Sequence, residues 1–290
     1  MLIAVHGKEF DSTLQNIVKQ FFDLLHSHHF DIIVSESFLP HLVNANMAED
    51  LKTYSNTDDL LSADFMFTLG GDGTILEAVT QVGALETPII GVNMGRLGFL
   101  ATIGLDQIDY ALAQILGGKY TLDKRVLLKL KDDKNLFGGV PFALNDFTII
   151  KKDTSSMIVV QTFVDGDFLN AYWADGLIVS TPTGSTGYSL SCGGPLVLPQ
   201  SNNFIITPVS AHNLNVRPMV LGDNSKISFK IDARVDNVLI SLDSRSVTIP
   251  ATTELTIEKE EFKACLVKFD GYHPFETLRQ KLFWGLDARN

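Results

Sequence analysis

Phe65-Met66-Phe67-Thr68-Leu69-Gly70-Gly71-Asp72-Gly73-Thr74 is the stretch that decides the fold of the first part of the chain. A short apolar run without alternation is the mark of a strand buried on both faces, as in a parallel sheet covered by helices. It ends in glycines, which allow a tight turn and a close approach of main chain to a ligand. The same texture surrounds it. MLIAV at 1–5, DIIV at 31–34 and PIIGV at 88–92 read as further strands. Leu14, Ile17, Val18, Phe21, Phe22 and Leu25 form one helical stripe, and helices are expected over 74–83 and 107–116. Residues 1–120 are therefore expected to form an α/β domain with a parallel sheet.

From about residue 125 the pattern changes to VLLKL, FALNDFTII, SMIVVQTFV, LIVST, FIITPV, KISFKI, NVLISL, SVTI, ELTIEK and FKACLVKF. In KISFKI, Ile227, Phe229 and Ile231 alternate with polar residues, a period of two with one face buried. KDDKN, VDGD and LGDN supply turns between such runs. A β-rich, sandwich-like domain is expected over 121–270. A final stripe of Phe275, Leu278, Leu282 and Phe283 predicts a C-terminal helix, with 271–290 packing back on the first domain.

The 290 residues carry 23 Lys and Arg against 34 Asp and Glu, a formal net charge of −11. That balance argues against a broad nucleic-acid footprint and against adhesion to anionic membranes. It leaves open anionic small ligands, which a pocket can hold with backbone N–H groups. The two cysteines, Cys192 and Cys265, form no C-x-x-C and predict neither a disulfide scaffold nor a cysteine zinc site. With no secretory leader pattern and no run of eighteen apolar residues, the expected address is the cytoplasm.

Asp72, enclosed by Gly70, Gly71 and Gly73, stands where a ligand can reach it, before a helix that would offer free N–H groups to an anion. An ordinary glycine turn with a capping residue is the plainer alternative. The dinucleotide fingerprint G-x-G-x-x-G fails because Leu76 holds the third glycine position, and a P-loop fails because no G-K-[ST] follows. A second feature, Asp175 to Pro195, reads DGLIVSTPTGSTGYSLSCGGP: a strand breaks at Pro182 into hydroxyls and glycines. Such a turn suits ribose and phosphate, and Tyr188 can stack on a base. A third, Asn145-Asp146, interrupts an apolar run, which a satisfied bulge would also explain.

Taken together, GGDGT at 70–74, NMGRLGFL at 93–100, Asn145-Asp146, the segment 175–195 and PVSAHNLNVRP at 208–218 resemble the bacterial NAD kinase family over nearly the whole chain. The resemblance implies transfer of the γ-phosphoryl group of ATP to the 2′-hydroxyl of the adenosine ribose of NAD, giving NADP and ADP. Asp72 would then be the base for that hydroxyl, with Gly71 and Gly73 beside it. Asn145 and Asp146 would hold the nicotinamide-side ribose or nearby polar groups, and Asp175 the nicotinamide end. Thr183 and Thr186, Gly187, Tyr188, Ser189, Leu190 and Ser191 would shape the adenosine and pyrophosphate site, with His212 lining it. Four positions depart from the family pattern or its usual residues: Asp146 for Glu, Gly187 for Ala, Trp173 for a basic residue and Arg245 for Gln. The first two imply altered NAD affinity with the base retained, and Trp173 and Arg245 are expected in the NAD-binding set with contacts unlike the family's.

An ordinary aspartate, with a pKa of about 3.9, is a feeble base toward an alcohol. Phosphoryl transfer tolerates that, because its loose transition state puts most of the work on positioning and charge stabilisation. A divalent cation, Mg²⁺ or Mn²⁺, bridging the ATP phosphates would supply much of the charge. No metal-ligating residues are assigned. The family also implies a homodimer or homotetramer, with small-molecule nucleotides as the other partners. The competing classes are a GGDG-type lipid kinase, disfavoured by the acidic composition, and a non-catalytic nucleotide sensor, which would need no Asp72.

Overall fold

The computed structural model describes residues 1–48, 51–95, 98–131, 133–152, 157–232, 236–271 and 274–283. Arg96 and Leu97 of the NMGRLGFL run and Ser156 of SMIVVQTFV lie outside the described residues. The chain divides into two compact units, Met1–Asp123 with Cys265–Asn290, and Lys124–Ala264.

In the first unit the parallel strands lie in the order Ile89–Asn93, Phe65–Leu69, Leu2–Gly7, Asp31–Ser35 and Lys52–Tyr54. Ile103–Gly104, and Leu266 of the long strand Leu255–Lys268, also pair with Ile89–Asn93. Starting from Leu2–Gly7, the chain first builds outward on one side and then returns to build on the other. The order therefore reverses between Leu2–Gly7 and Phe65–Leu69, whose ends meet at Gly7 opposite Leu69. Open α/β sheets bind ligands at the carboxyl ends of strands at such a reversal. The helix Gln15–Ser27 buries Val18, Phe21, Phe22 and Leu25, and Phe21 packs at 5.4 Å from the Phe67 ring. Truncating a ring like Phe21 to Ala costs about 3–5 kcal/mol.

The helix after the glycine turn runs Asp72–Val82, two residues earlier than the expected 74–83. Gly71 is extended and caps it, so Asp72 occupies the first helical position, where a carboxylate is favoured by the helix dipole. The C-terminal helix is Pro274–Leu282. Its expected apolar stripe is not a buried face: Phe275 and Phe283 are exposed, Leu278 is half-buried, and Thr277 is the buried residue.

The second unit is β-rich. One antiparallel sheet has the order Met219–Gly222, Asn203–Val209, Gly176–Ser180, Asp146–Lys151, Asn237–Leu242 and Arg245–Pro250. The other carries Asp167–Ala174, Ile158–Val164, Ile227–Asp232 and the beginning of Leu255–Lys268. Phe147, Ile149, Val179, Phe204 and Ile240 from the first share one core with Val160, Tyr172, Phe229 and Ile257 from the second. The Phe147 and Phe229 rings stack at 6.0 Å. This is a sandwich in which alternate residues of each strand turn inward.

The run FALNDFTII is not one strand. Phe142–Ala143 pairs with Thr121–Leu130, whereas Asp146–Lys151 lies in the other sheet. Asn145-Asp146 is thus where the chain crosses between sheets, and the polar residues sit at that corner. Among the described residues, no helix is long and apolar enough to cross a membrane.

Candidate functional site

In the first unit, Asp72 is brought against the turn that follows Ile89–Asn93. Its Oδ2 accepts the Phe99 N–H at 2.8 Å, and its Oδ1 accepts Leu100 N–H at 2.9 Å and Ala101 N–H at 3.0 Å. A carboxylate has about four acceptor positions, so these three bonds leave roughly one, on Oδ2. Gly98 explains the close approach, since a Cβ there would run into Oδ1 of Asp72. The second glycine of the NMGRLGFL run, Gly98, is therefore required by the GGDG aspartate, a link invisible in either motif alone.

Lys8, the first residue after Leu2–Gly7, was not singled out in the sequence. Its Nζ lies 2.7 Å from Glu77 Oε1 and 3.9 Å from the point a Cβ at Gly73 would occupy. Glu77 also meets His6 Nε2 at 3.1 Å, and His6 Nδ1 meets Ser35 Oγ at 2.8 Å. Burial pushes the His6 imidazole below its ordinary pKa, more strongly than Glu77 raises it. An ammonium thus stands over the first turn of the helix at the strand reversal, held there by Glu77. Its only sequence signal was a lysine just after a strand.

In the second unit, Asn145, Asp146 and Gly187 converge. A Cβ at Gly187 would stand 3.9 Å from both Asn145 Nδ2 and Asp146 Oδ2, and 3.2 Å from the Gly184 carbonyl. Asp146 is buried, and burial with the charge of Asp243 pushes its carboxyl up to about 7. Tyr188, exposed at the start of the short helix Tyr188–Ser191, has its phenol raised first by burial, then by Cys192, Asp146 and Asp175. Asp175 is ion-paired with Lys151 at 2.7 Å. Asn145, Asp146 and Gly187 therefore lie together, and the charges of Asp146 and Asp175 reach Tyr188 beside them.

Several hydroxyls of the TPTGSTGY run build the turn. Thr181 Oγ1 donates to the Leu144 carbonyl at 2.5 Å and accepts Gly184 N–H at 3.2 Å. Gly184 packs directly on the Asn145 main chain, where a Cβ would overlap the Asn145 carbonyl. Thr183 is buried and accepts from Arg125 Nη1 at 3.1 Å, while Thr186 donates to the Thr183 carbonyl at 3.1 Å. Ser189 bonds Thr207 at 2.8 Å in the interior. Leu190 is half-buried, and Ser191 is exposed.

Trp173 and His212 lie together. Both are exposed, and the His212 N–H donates to the Trp173 carbonyl at 2.8 Å. Arg245 is spent inside the unit, donating to the Val140 carbonyl at 2.6 Å and the Phe142 carbonyl at 2.5 Å beneath the Phe137 ring. Asp243 was missed by the sequence reading. Its carboxylate accepts the N–H groups of Leu144, Asn145 and Asp146 at 2.9, 2.8 and 3.2 Å. Among the described residues, no group of three His, Cys, Asp or Glu side chains could hold a metal ion.

Comparison with known proteins names this arrangement. Residues 2–120 match the family described as ATP-NAD kinase N-terminal domain and 144–269 that described as ATP-NAD kinase C-terminal domain. The NAD kinase of Cytophaga hutchinsonii is 49% identical over the full length of both chains. The chain belongs to the NAD kinase family. The NAD kinase fold is also that of the yeast NADH kinase crystallised with NADH, with a TM-score of 0.89 at 24% identity, covering 100% of this chain and 89% of that one. The NAD kinase from Archaeoglobus fulgidus, solved in complex with ATP, gives a TM-score of 0.74 at 25% identity, covering 98% and 99%.

Proposed function

We infer that the protein is an NAD kinase, a phosphotransferase that moves the γ-phosphoryl group of ATP to the 2′-hydroxyl of the adenosine ribose of NAD, yielding NADP and ADP. Full-length identity of 49% to a curated NAD kinase carries this reading. Product analysis with NAD, ATP and Mg²⁺ tests it: a single phosphorylated product carrying the phosphate on the adenosine 2′-oxygen is expected. A folded protein that binds both nucleotides and forms no such product overturns it.

Within that reading Asp72 orients the ribose hydroxyl and accepts its proton through the acceptor position left on Oδ2. The three N–H bonds to the 99–101 turn hold the carboxylate still, which is how positioning contributes in a loose phosphoryl transfer. Lys8 and the N–H groups at the start of Asp72–Val82 offer positive potential to phosphate oxygens. Mg²⁺ or Mn²⁺, arriving with ATP, would supply neutralisation of phosphate charge, and no residue is assigned to hold it. Asn145, Asp146, Asp175, Gly187 and Tyr188 recognise nucleotide ribose and base. Thr183, Thr186 and Ser189 act by shaping the turn that presents them, with Leu190, Ser191, Trp173 and His212 at its margins.

Arg245 serves the same half-site from behind and does not need to touch nucleotide. A homodimer or homotetramer is proposed with the β-rich unit as interface. Exposed Leu214, Met219 and Val220 line a cavity of ≈ 790 Å³ beside Leu169 and Tyr172 and support that assignment. Light scattering that finds a fully active monomer at all concentrations would overturn it.

A further inference from the structure

We propose that Asp243, a residue with no place in the substrate contacts above, is a positioning residue for NAD: its carboxylate fixes the main chain of Leu144, Asn145 and Asp146 and so aims the two polar side chains at the Gly187 turn. The proposal rests on the NAD kinase reading. Asp243 occupies the two-residue connection between Asn237–Leu242 and Arg245–Pro250, with Leu242 paired to Arg245. Its φ of 52° is left-handed, a conformation Asp tolerates better than most residues. That backbone turns the carboxylate toward a segment 97 to 99 residues earlier in the chain.

The contacts of the carboxylate are acceptor-only. Oδ1 takes Asn145 N–H and Asp146 N–H, Oδ2 takes Leu144 N–H, and the Asp243 N–H returns a bond to the Asp146 carbonyl at 3.0 Å. Those N–H groups sit at the corner where the chain leaves one sheet for the other, so no ladder is there to satisfy them. Burial pulls the Asp243 carboxyl upward, and the three N–H donors with Arg245 oppose it. Burial prevails, so the carboxyl lies above its ordinary value, and where Asp243 is ionised its charge acts on Asp146.

Its charge has a second effect. Asp146 is raised to about 7 by burial first and by Asp243 second. The other titratable groups around it are Tyr188 and Cys192, both raised above their ordinary values, with Asp175 near Tyr188 and Arg245 near Asp243. An ionised Asp146 accepts hydrogen bonds from ribose hydroxyls at both oxygens, and a protonated one does not. If only the ionised form is competent, apparent affinity scales with its fraction, which rises about tenfold between pH 6 and pH 8 for a midpoint near 7.

The test is NAD binding to the full chain by calorimetry from pH 5.5 to 8.5, in the parent, Asp243→Asn and Asp146→Asn, with ATP binding measured alongside. The parent should bind NAD about tenfold more tightly at pH 8 than at pH 6. Asp243→Asn should weaken NAD at pH 8 by at least about fivefold, leave ATP within about twofold, and move the pH midpoint to lower values. Asp146→Asn should bind NAD with an affinity flat in pH. A parent without pH dependence, an Asp243→Asn protein with the parental midpoint, or an Asp146→Asn protein with the parental curve overturns the proposal. Should Asp243→Asn not fold, Asp243→Glu, which keeps the charge but displaces the three acceptor contacts, decides it: NAD affinity at pH 8 should fall about fivefold with ATP within about twofold, and parental NAD affinity overturns the proposal. Because binding is read directly, a parent that shows these curves and forms no NADP would fault the kinase reading alone.

Discussion

Each unit of the molecule contains an aspartate that gathers three N–H groups, and the two are used differently. Asp72 gathers those of Phe99, Leu100 and Ala101 and is itself the residue proposed to meet the ribose hydroxyl. Asp243 gathers those of Leu144, Asn145 and Asp146, and it is the neighbouring Asp146 that is proposed to meet the nucleotide. In the first case anchoring and chemistry share one carboxylate, so it is held still but has about one acceptor position free. In the second they are proposed to be divided: Asp243 anchors the main chain, and Asp146, raised to about 7, is the residue proposed to face substrate. A group that shares both tasks should lose stability and turnover together when altered. A divided pair should let them be separated.

The largest effect is expected for Asp72→Asn. Loss of a general base typically costs ~10²–10⁴-fold in rate. Asn also has one oxygen in place of two, so it turns an N–H₂ toward one of the three backbone N–H groups, and a buried group left unsatisfied costs about 1–3 kcal/mol. Steady-state kcat should fall by at least about a hundredfold, and the melting temperature by several degrees. A lower melting temperature with parental kcat would reduce Asp72 to an anchor and make the two clamps alike.

Gly98→Ala should come next. The added Cβ runs into Asp72 Oδ1, and overpacking of this kind typically costs about 1–3 kcal/mol. Moving the 98–101 turn displaces the carboxylate, so kcat should fall about tenfold or more while NAD binding is retained. Kinetics and calorimetry on the same preparation separate the two, and parental kcat would show that the turn does not aim Asp72.

Asp146→Asn probes the divided pair through stability. The folded carboxyl, near 7, lies above its ordinary value of about 3.9, so the native state binds the proton more tightly. Its contribution is therefore full at low pH and lost as pH rises from about 4 to about 7, reaching at most about 4 kcal/mol. Asn does not ionise. The variant should gain stability relative to the parent at pH 8 compared with pH 5, by about 1–3 kcal/mol in urea unfolding. An equal difference at both pH values would mean that Asp146 is not titrating in this range.

The smallest effect is expected for Lys8→Met. The Lys8–Glu77 pair is half-exposed, and such pairs contribute about 0–1 kcal/mol, so stability should hardly change. The KM for ATP should rise several-fold if the ammonium meets phosphate, and an unchanged KM for both substrates would leave Lys8 as a surface partner of Glu77.

The sequence by itself determined the class of each half. FMFTL and PIIGV have no alternation because both faces of a parallel strand are covered, and KISFKI alternates because one face of a sandwich strand is exposed or half-buried. Such periods are local and survive without tertiary knowledge. GGDG and the hydroxyl turn were legible for the same reason, being contiguous and rich in residues that few folds require in that order. Only the tertiary structure decided the rest. That FALNDFTII divides between two sheets follows from pairings with Thr121–Leu130 and Gly176–Ser180, strands distant in the chain. Lys8 reaches the GGDG helix because parallel neighbours bring Gly7 beside Leu69. Gly98 is required by an aspartate 26 residues before it, and Asp243 by N–H groups nearly a hundred residues away. A carboxylate that satisfies main-chain donors has no periodicity and no motif. Its role is set by which orphaned N–H groups the fold brings to it.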